Sequence, residues 1–550
     1  MQAVQQLPKV VQRVVQRVAQ RVVKYPTMLR VLLGTGIVRP YSPAVLARMA
    51  RALVDWGTGP AGGFTALAIR EPERVGLVDE LGELTFRELH ERSNALADTW
   101  KRNGVRAGDA VAIMCRNHRG FVDASIAAAK VGADLVYLNT AFAGPQLVEV
   151  LERESPALVV HDQEFTGLLA KAEGVDRVLA WVDDDADRGD VPTLEQQIVE
   201  GGPADHRPPP KPSRIIILTS GTTGAPKGAP RSEAGIDSAV ALLSRLPLRR
   251  GWRTHVAAPL FHTWGWAHWA LAMLLGSTIV LRRKFDPAGC LTTVEEERCD
   301  SLVVIPVMLQ RILQLPQDEL DKHDLSRVKV VAASGSALPG DLGTTWMDQY
   351  GDTLYNIYGS TEVAYATVAT PEDLRAAPGT AGKPPWATVV KIFDEEGHEV
   401  PPGESGRIFV GNTLLFEGYT GGGSKDTIDG LMATGDVGRF DEEGRLFVEG
   451  RDDEMIVSGG ENVFPKEVED CLARHDAVVE AAAIGVDDEE FGQRLRAFVV
   501  LSGPADEDTL KAHVKDNLAR YKVPREIVVV DELPRNATGK VLKRELAARD

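Results

Sequence analysis

The chain has 550 residues, 44% hydrophobic and 26% charged, which fits several folded domains with buried cores and excludes a disordered or fibrous protein. A formal net charge of −17 excludes nucleic acid as the main partner, because phosphate backbones are held by clustered Lys and Arg. Cys115, Cys290, Cys299 and Cys471 have neither CxxC nor metal-site spacing and point to a reducing, cytoplasmic setting.

The first segment departs from this balance: residues 1–54 carry nine Lys or Arg and no Asp or Glu. In KVVQRVVQRVAQRVVKY, Val11, Val14, Val15, Val18 and Val22 fall on one helical side while Arg13, Arg17 and Arg21 recur every fourth residue on another. The pattern predicts a basic amphipathic helix. Two readings stand: residues 1–30 hold the protein at the inner face of an anionic membrane, or the helix docks on the protein's own body. A transit peptide is a distant third, since no cleavage site follows. No run of 18 uncharged apolar residues predicts a membrane span, and no apolar core marks a signal peptide.

Further along, short β-type runs alternate with helical patterns: VAIMC then FVDASIAAAKVG, ALVVHD, RIIILTS, SLVVIPV then MLQRILQL, and RVKVVAASG. Such alternation predicts parallel sheets covered by helices. RPPPKPS at 207–213 reads as a linker separating an early α/β block from the strand RIIIL. From Lys391 to Phe440, short strands with Gly/Pro turns predict a small β subdomain. Pro465 then opens the helical pattern KEVEDCLARH. AAAIGV, LRAFVVL, DTLKAHVKDNLARY and EIVVV complete a separate α+β unit joined at residues 451–454. The expected class is α/β: a large domain of two α/β subdomains plus a small β subdomain, then a mobile α+β C-terminal domain. The expected boundaries are a 1–60 extension, a 61–450 body and a 451–550 small domain.

Four stretches carry chemistry. LTSGTTGAPKG offers the hydroxyls of Thr219, Ser220, Thr222 and Thr223, close approach at Gly221 and Gly224, and the charge of Lys227, a set suited to phosphate. It is not a Walker loop, because Pro226 precedes the lysine and Gly228 follows it, which predicts a mobile loop instead of a helix start. YNIYGSTEV brings Tyr358, Gly359, Thr361 and Glu362 to a strand end, where α/β proteins bind ligands. TGD adds Asp436, which can accept two ribose hydroxyls. PRNATGK puts Lys540 after a flexible Thr-Gly near the chain end.

Taken in order and spacing, LTSGTTGAPKG, YGSTE, TGD, GRDDEMIVSGGENVFPKEVE and PRNATGK resemble the adenylate-forming superfamily of acyl-CoA synthetases, adenylation domains and luciferases. AAAKVGADLVYLNTAF, APLFHTWGW and ASGSALP agree, and within the superfamily the chain looks most similar to bacterial medium- and long-chain fatty acyl-CoA synthetases. The resemblance implies ATP, Mg2+ and coenzyme A. A fatty acid is first converted to an acyl adenylate with release of pyrophosphate, because a carboxylate alone is a poor electrophile, and the acyl group then passes to the CoA thiol. By motif position, the 219–228 loop holds the β- and γ-phosphates, Glu362 the magnesium and Thr361 the α-phosphate. Tyr358 stacks on adenine, Asn356 and the Gly335, Ser336, Ala337 backbone read its edge, and Asp436 and Arg451 hold the ribose. Lys540 bridges carboxylate and α-phosphate. The small domain then turns about Asp453 and presents Ser458, Gly459 and Gly460 to the CoA arm. His262 either gates the acyl pocket or is a packed core histidine.

The stretch GYTGGGSKDTIDGLMATGD departs from the family, which shows an aromatic and a proline there. Alternatives to the fatty acid:CoA ligase are an acyl-AMP ligase loading a carrier protein, an aryl- or short-chain acid-CoA ligase, and a non-catalytic membrane-binding scaffold.

Overall fold

The computed structural model describes residues 26–550 apart from 143, 171–173, 185–187, 219–227, 232–234, 420–422, 455, 459–460, 489–491, 520–521, 537–538 and 549–550. The valine and arginine pattern of residues 10–24 therefore lies outside the described residues.

Four sheets organise the chain. Asp176–Trp181, Leu158–Asp162, Ala110–Met114, Asp134–Tyr137, Ile215–Leu218 and Gly228–Arg231 form the first, parallel but for its last pair. The second runs in the order Thr367–Ala369, Leu354–Tyr358, Val330–Ala333, Ser301–Val304, Arg253–Val256, Thr278–Val280, Val75–Asp79, Gly82–Thr85, with antiparallel pairs at its two edges. These parallel strands are nearly all buried, as strands covered on both faces must be. Helix Arg119–Val131 is buried at every residue and belongs to the same core as Phe121, Tyr137 and Trp269. It starts at His118, whose ring accepts from the Gly120 N–H at 3.0 Å and meets Asp162 at 2.8 Å. Cys115 stands close to that pair, but both ring nitrogens are already engaged, so the cluster is a buried helix cap and not an open metal site.

The linker reading of RPPPKPS is corrected here. Ile215–Leu218 does not start a new block; it lies beside Asp134–Tyr137 in the first sheet. The buried Ile216, Ile217 and Leu218 hold the strand there, and at its start the Arg214 guanidinium pairs with Asp134 at 2.6 Å while the Arg214 backbone N–H bonds the same carboxylate at 2.8 Å.

The third sheet is antiparallel, Val389–Phe393, Gly406–Gly411, Leu431–Phe440 and Thr427–Ile428, with Leu446–Arg451 pairing the later residues of Leu431–Phe440. A 3-10 turn, Asp452–Glu454, leads to the fourth sheet, built from Ile456–Ser458, Glu461–Val463, Val478–Asp488, Gly492–Leu501 and Glu526–Val529. Helices Pro465–Leu472 and Glu507–Asn517 supply its core through Val468, Leu472, Leu510 and Val514. This is the mixed α/β class expected, with a large first part and a smaller last one. No helix among the described residues is long and apolar enough to cross a membrane.

Candidate active site

At the ends of the second sheet's parallel strands, Tyr358 meets Asp436 of the third sheet, with Arg451 and Lys540 near that carboxylate. Strand Leu354–Tyr358 delivers Asn356 and Tyr358. Asn356 is buried, yet its side-chain oxygen has no hydrogen-bond partner. A buried acceptor left open costs stability unless a ligand donor fills it, and an adenine amino group fits that need. Gly335, Ser336 and Ala337 follow strand Val330–Ala333 after the buried Ser334, with Gly335 and Ala337 exposed.

The phenol of Tyr358 donates to Asp436 at 2.5 Å. Burial first, and then the neighbouring carboxylate, raise the Tyr358 pKa well above its ordinary value, so it is a neutral donor. Asp436 stands in register with Arg451 across two antiparallel strands, and their side chains meet at 3.7 Å. Burial raises the Asp436 carboxyl, against the opposing pull of Tyr358, Arg451, Lys540 and Lys425. A carboxylate flanked by these cations is suited to accept a diol next to a chain of phosphates.

Beyond Tyr358 the chain turns sharply. A side chain at Gly359 would meet the Ala364 carbonyl at 2.3 Å, so only glycine fits. The turn presents Thr361 and Glu362, both half-buried. Glu362 accepts from Tyr419 at 2.7 Å and from Ser360 at 2.9 Å. Burial and this carboxylate push the Tyr419 phenol up, so it stays protonated. Both partners are neutral hydroxyls, which orient the carboxylate and leave lone pairs suited to a hard cation such as Mg2+.

Lys540 approaches Asp436 from the other end of the chain. Its N–H bonds the Asn536 side chain at 2.9 Å, and the Asn536 N–H bonds its carbonyl at 2.9 Å, closing a tight loop. A Cβ on Gly539 would stand 2.7 Å from Val307 and 3.1 Å from Ile305, so the loop is seated directly on the wall formed by the segment after strand Ser301–Val304. Gln310 on that wall donates to the Val479 carbonyl at 2.8 Å and ties the fourth sheet to it. Lys540 lies near enough to Asp436 for its charge to favour the ionised carboxylate.

His262 caps helix Thr263–Leu275 beside the same wall, where Trp264 donates to the Val304 carbonyl at 2.9 Å. Although His262 retains some exposure, its Nε2 is enclosed and has no partner. Burial pushes its pKa down to about 3, so the ring is neutral. The ring also lies 4.5 Å from that of Phe261 between centroids, so it is packed while its Nε2 stays unsatisfied.

Thr219, Ser220, Gly221, Thr222, Thr223, Gly224 and Lys227 lie outside the described residues, as do Gly459 and Gly460. The flanks of the first loop are described: Leu218 pairs with Gly228 in an antiparallel hairpin, so the loop is closed by strands and opens no helix. Ser458 pairs with Glu461 and Gly492 within the fourth sheet. Asp453 sits in the turn Asp452–Glu454 between Asp452, which pairs with Arg407 at 3.2 Å, and Glu454, which pairs with Lys543 at 2.9 Å. Sequence reading missed Tyr419, Ser360 and Lys425. The first and last lie in the stretch that departs from the family pattern, and that departure was the available signal.

Comparison with known proteins places the chain. It matches the AMP-binding enzymes over residues 64–420 and the AMP-binding enzyme C-terminal domain over 467–540. It is 34% identical over 479 residues to a feruloyl-CoA synthase of an Amycolatopsis species, covering 85% of this chain and 94% of that protein. It is 33% identical over 513 residues to an indoleacetate–CoA ligase of Aromatoleum aromaticum, covering 90% and 98%. A solved o-succinylbenzoate CoA synthetase from Bacillus subtilis, in complex with its acyl-adenylate intermediate, superposes with a TM-score of 0.78 at 28% identity, covering 89% of this chain and 98% of that one.

Proposed function

The chain belongs to the family of AMP-binding enzymes, and from that premise we propose that it joins an apolar carboxylic acid, a fatty acid first of all, to coenzyme A with ATP. Acid–CoA ligase chemistry through an adenylate, with ATP, Mg2+ and coenzyme A, is the family activity. One observation supports the specific reading: the Lys540 loop rests on Ile305 and Val307 while Lys540 lies near Asp436, so one cation stands where an acid's carboxylate and a nucleotide's α-phosphate would meet. It would offset two anions that otherwise repel.

The remaining roles follow from position. Asn356 and Tyr358 take the adenine, Asp436 and Arg451 the ribose, and Thr361 the α-phosphate, with the loop at 219–227 over the outer phosphates. Glu362 holds Mg2+, which neutralises phosphate charge. Residues 61–450 act as the adenylate-forming body, and residues 451–550 turn about Asp453 to bring Ser458 to Gly460 against the CoA arm. His262, neutral and unpartnered, faces the reacting carbonyl's approach path. The described acyl wall, Trp264, Ile305, Val307 and Met308, carries no charge, which favours an uncharged tail. Residues 1–30 keep the enzyme at the inner face of an anionic membrane, where fatty acids partition.

An aromatic acid is the second reading, favoured by the ferulate, indoleacetate and succinylbenzoate named in the relatives. The test is pyrophosphate and thioester formation with a ladder of fatty acids alongside ferulate and indoleacetate, with and without coenzyme A. The proposal expects thioester from fatty acids. Thioester from the aromatic acids alone overturns the fatty acid reading, pyrophosphate without thioester identifies an acyl-AMP ligase, and no ATP consumption with any acid identifies a scaffold.

A further inference from the structure

The described part of the N-terminal extension is folded against the body, yet it turns apolar side chains outward. Of the large hydrophobic side chains exposed among the described residues, more than half, Leu29, Leu33, Val38, Leu46, Leu53 and Val54, fall between residues 29 and 54. Residues 26–34 are helical, and Val31 packs against a buried cluster that includes Leu271 and Leu275. Leu29 and Leu33, two residues to either side of Val31, point the opposite way and are 53% and 56% exposed. The Arg250 N–H bonds the Thr35 carbonyl at 2.9 Å and Tyr41 bonds Glu71 at 3.3 Å, so the segment is anchored and not trailing.

Helix Pro43–Trp56 repeats the pattern. Its Val45, Met49, Ala52 and Trp56 side faces the body, with Trp56 packed on the main core. Leu46, Ala50, Leu53 and Val54 span about 100° of the outer face, and Arg51, paired with Asp55 at 2.5 Å, lies about 60° beyond Val54. Leu46 and Val54 are 48% and 82% exposed. A stripe of leucine and valine bordered by arginine is the pattern of a helix lying in a lipid interface.

We propose that helices 26–34 and 43–56 form a membrane-docking platform for an anionic bilayer, with Leu29, Leu33, Leu46, Leu53 and Val54 entering the headgroup boundary and Arg30 meeting lipid phosphates. This deepens the attachment proposed above for residues 1–30 by assigning it to a folded surface. Charge selects the occupant. The first 56 residues hold nine Lys or Arg against the single acid Asp55, which is paired with Arg51, in a chain of net charge −17, so the platform is the region an anionic bilayer attracts while the body is repelled. A second copy would bring the same basic face and be repelled in turn. The platform also lies one helix away from the acid wall: helix Pro60–Arg70 packs on Pro43–Trp56, and its Phe64 meets Trp269 of helix Thr263–Leu275 at 5.8 Å between ring centroids. An acid dissolved in the bilayer is thereby presented on the side of the molecule that receives it.

The experiment is flotation of the full-length protein with phosphatidylcholine vesicles, with and without phosphatidylglycerol, comparing wild type, a Leu46→Glu/Leu53→Glu/Val54→Glu variant, and a deletion of residues 1–25. The proposal expects binding only to anionic vesicles, weakened by high salt and reduced roughly tenfold or more in the triple variant. Thioester formation from a water-soluble acid and the thermal midpoint of the triple variant stay at wild-type values, which separates lost docking from misfolding. Wild-type binding that the deletion abolishes and the triple variant leaves intact overturns the platform while the 1–30 reading survives. No wild-type binding to anionic vesicles overturns both. A dimer that the triple variant dissolves assigns the face to a second copy and overturns the proposal.

Discussion

Tyr358 and Asp436 meet at 2.5 Å, phenol to carboxylate, across the joint between the second and third sheets. The side chain proposed to face adenine and the one proposed to hold the ribose are thus coupled before any nucleotide enters. A ribose diol must share or replace that phenol on the carboxylate.

Separating the two roles gives the first prediction. Asp436→Asn is expected to lower kcat/KM for ATP by about a hundredfold, because the ribose loses a charged acceptor, whereas Tyr358→Phe keeps the ring and costs about threefold. Steady-state pyrophosphate release reads both. A Tyr358→Phe loss as large as that of Asp436→Asn contradicts the ribose assignment.

Lys425 gives the second. It acts on the Asp436 carboxyl, and its ammonium lies close to Gly435. As a half-buried cation beside the proposed nucleotide site, it is expected to help hold phosphate. Lys425→Ala should raise KM for ATP by roughly fivefold, with the difference shrinking as salt rises. An unchanged KM at low salt assigns it to structure alone.

The turn at Asp453 lies between two anchors, Asp452 held to Arg407 and Glu454 held to Lys543. The proposed rotation, confined by these pairs, would fall on Asp453. Asp453→Pro, which fixes φ and removes a donor, should leave adenylate formation in a single turnover within about threefold of wild type and cut thioester formation by about a hundredfold. Loss of both steps together contradicts a pivot at this residue.

Buried histidines set the acid limit of the fold. His255 and His268 are buried and the His262 ring is enclosed at Nε2, and this desolvation keeps all three neutral, lowering their pKa values to about 4 for His255 and about 3 for His262 and His268. The unfolded chain takes up protons near its ordinary value of 6.5 while the folded one does not. Their contribution is therefore full above pH 6.5 and lost as pH falls toward 4. The urea midpoint should drop from pH 7 to pH 5, by up to about tenfold in the unfolding constant per pH unit for each histidine. His268→Leu should flatten that slope, and a wild-type midpoint flat between pH 7 and 5 contradicts the account.

Residue type and local order made much of this readable. Tyr358, Glu362, Asp436 and Lys540 announce themselves because each stands in a short run whose glycine, hydroxyl and charge content has few structural uses. What depends on distant packing was hidden. The RPPPKPS stretch reads as a linker until Arg214 is seen paired with Asp134, eighty residues earlier. Tyr419 has no local mark of being a Glu362 partner, and the seating of Gly539 on Val307 joins positions far apart in the chain. The acid's identity was hidden for the same reason: the pocket wall is set by contacts such as Trp264 to Val304, which no run of residues encodes.

The central claim is that Lys540 serves one half-reaction and leaves for the other. Lys540→Ala, assayed for pyrophosphate release from acid and ATP and separately for thioester formation from supplied acyl adenylate, tests it most directly. Adenylation should fall by about a thousandfold, with thioester formation kept within about threefold. An equal loss in both contradicts the account.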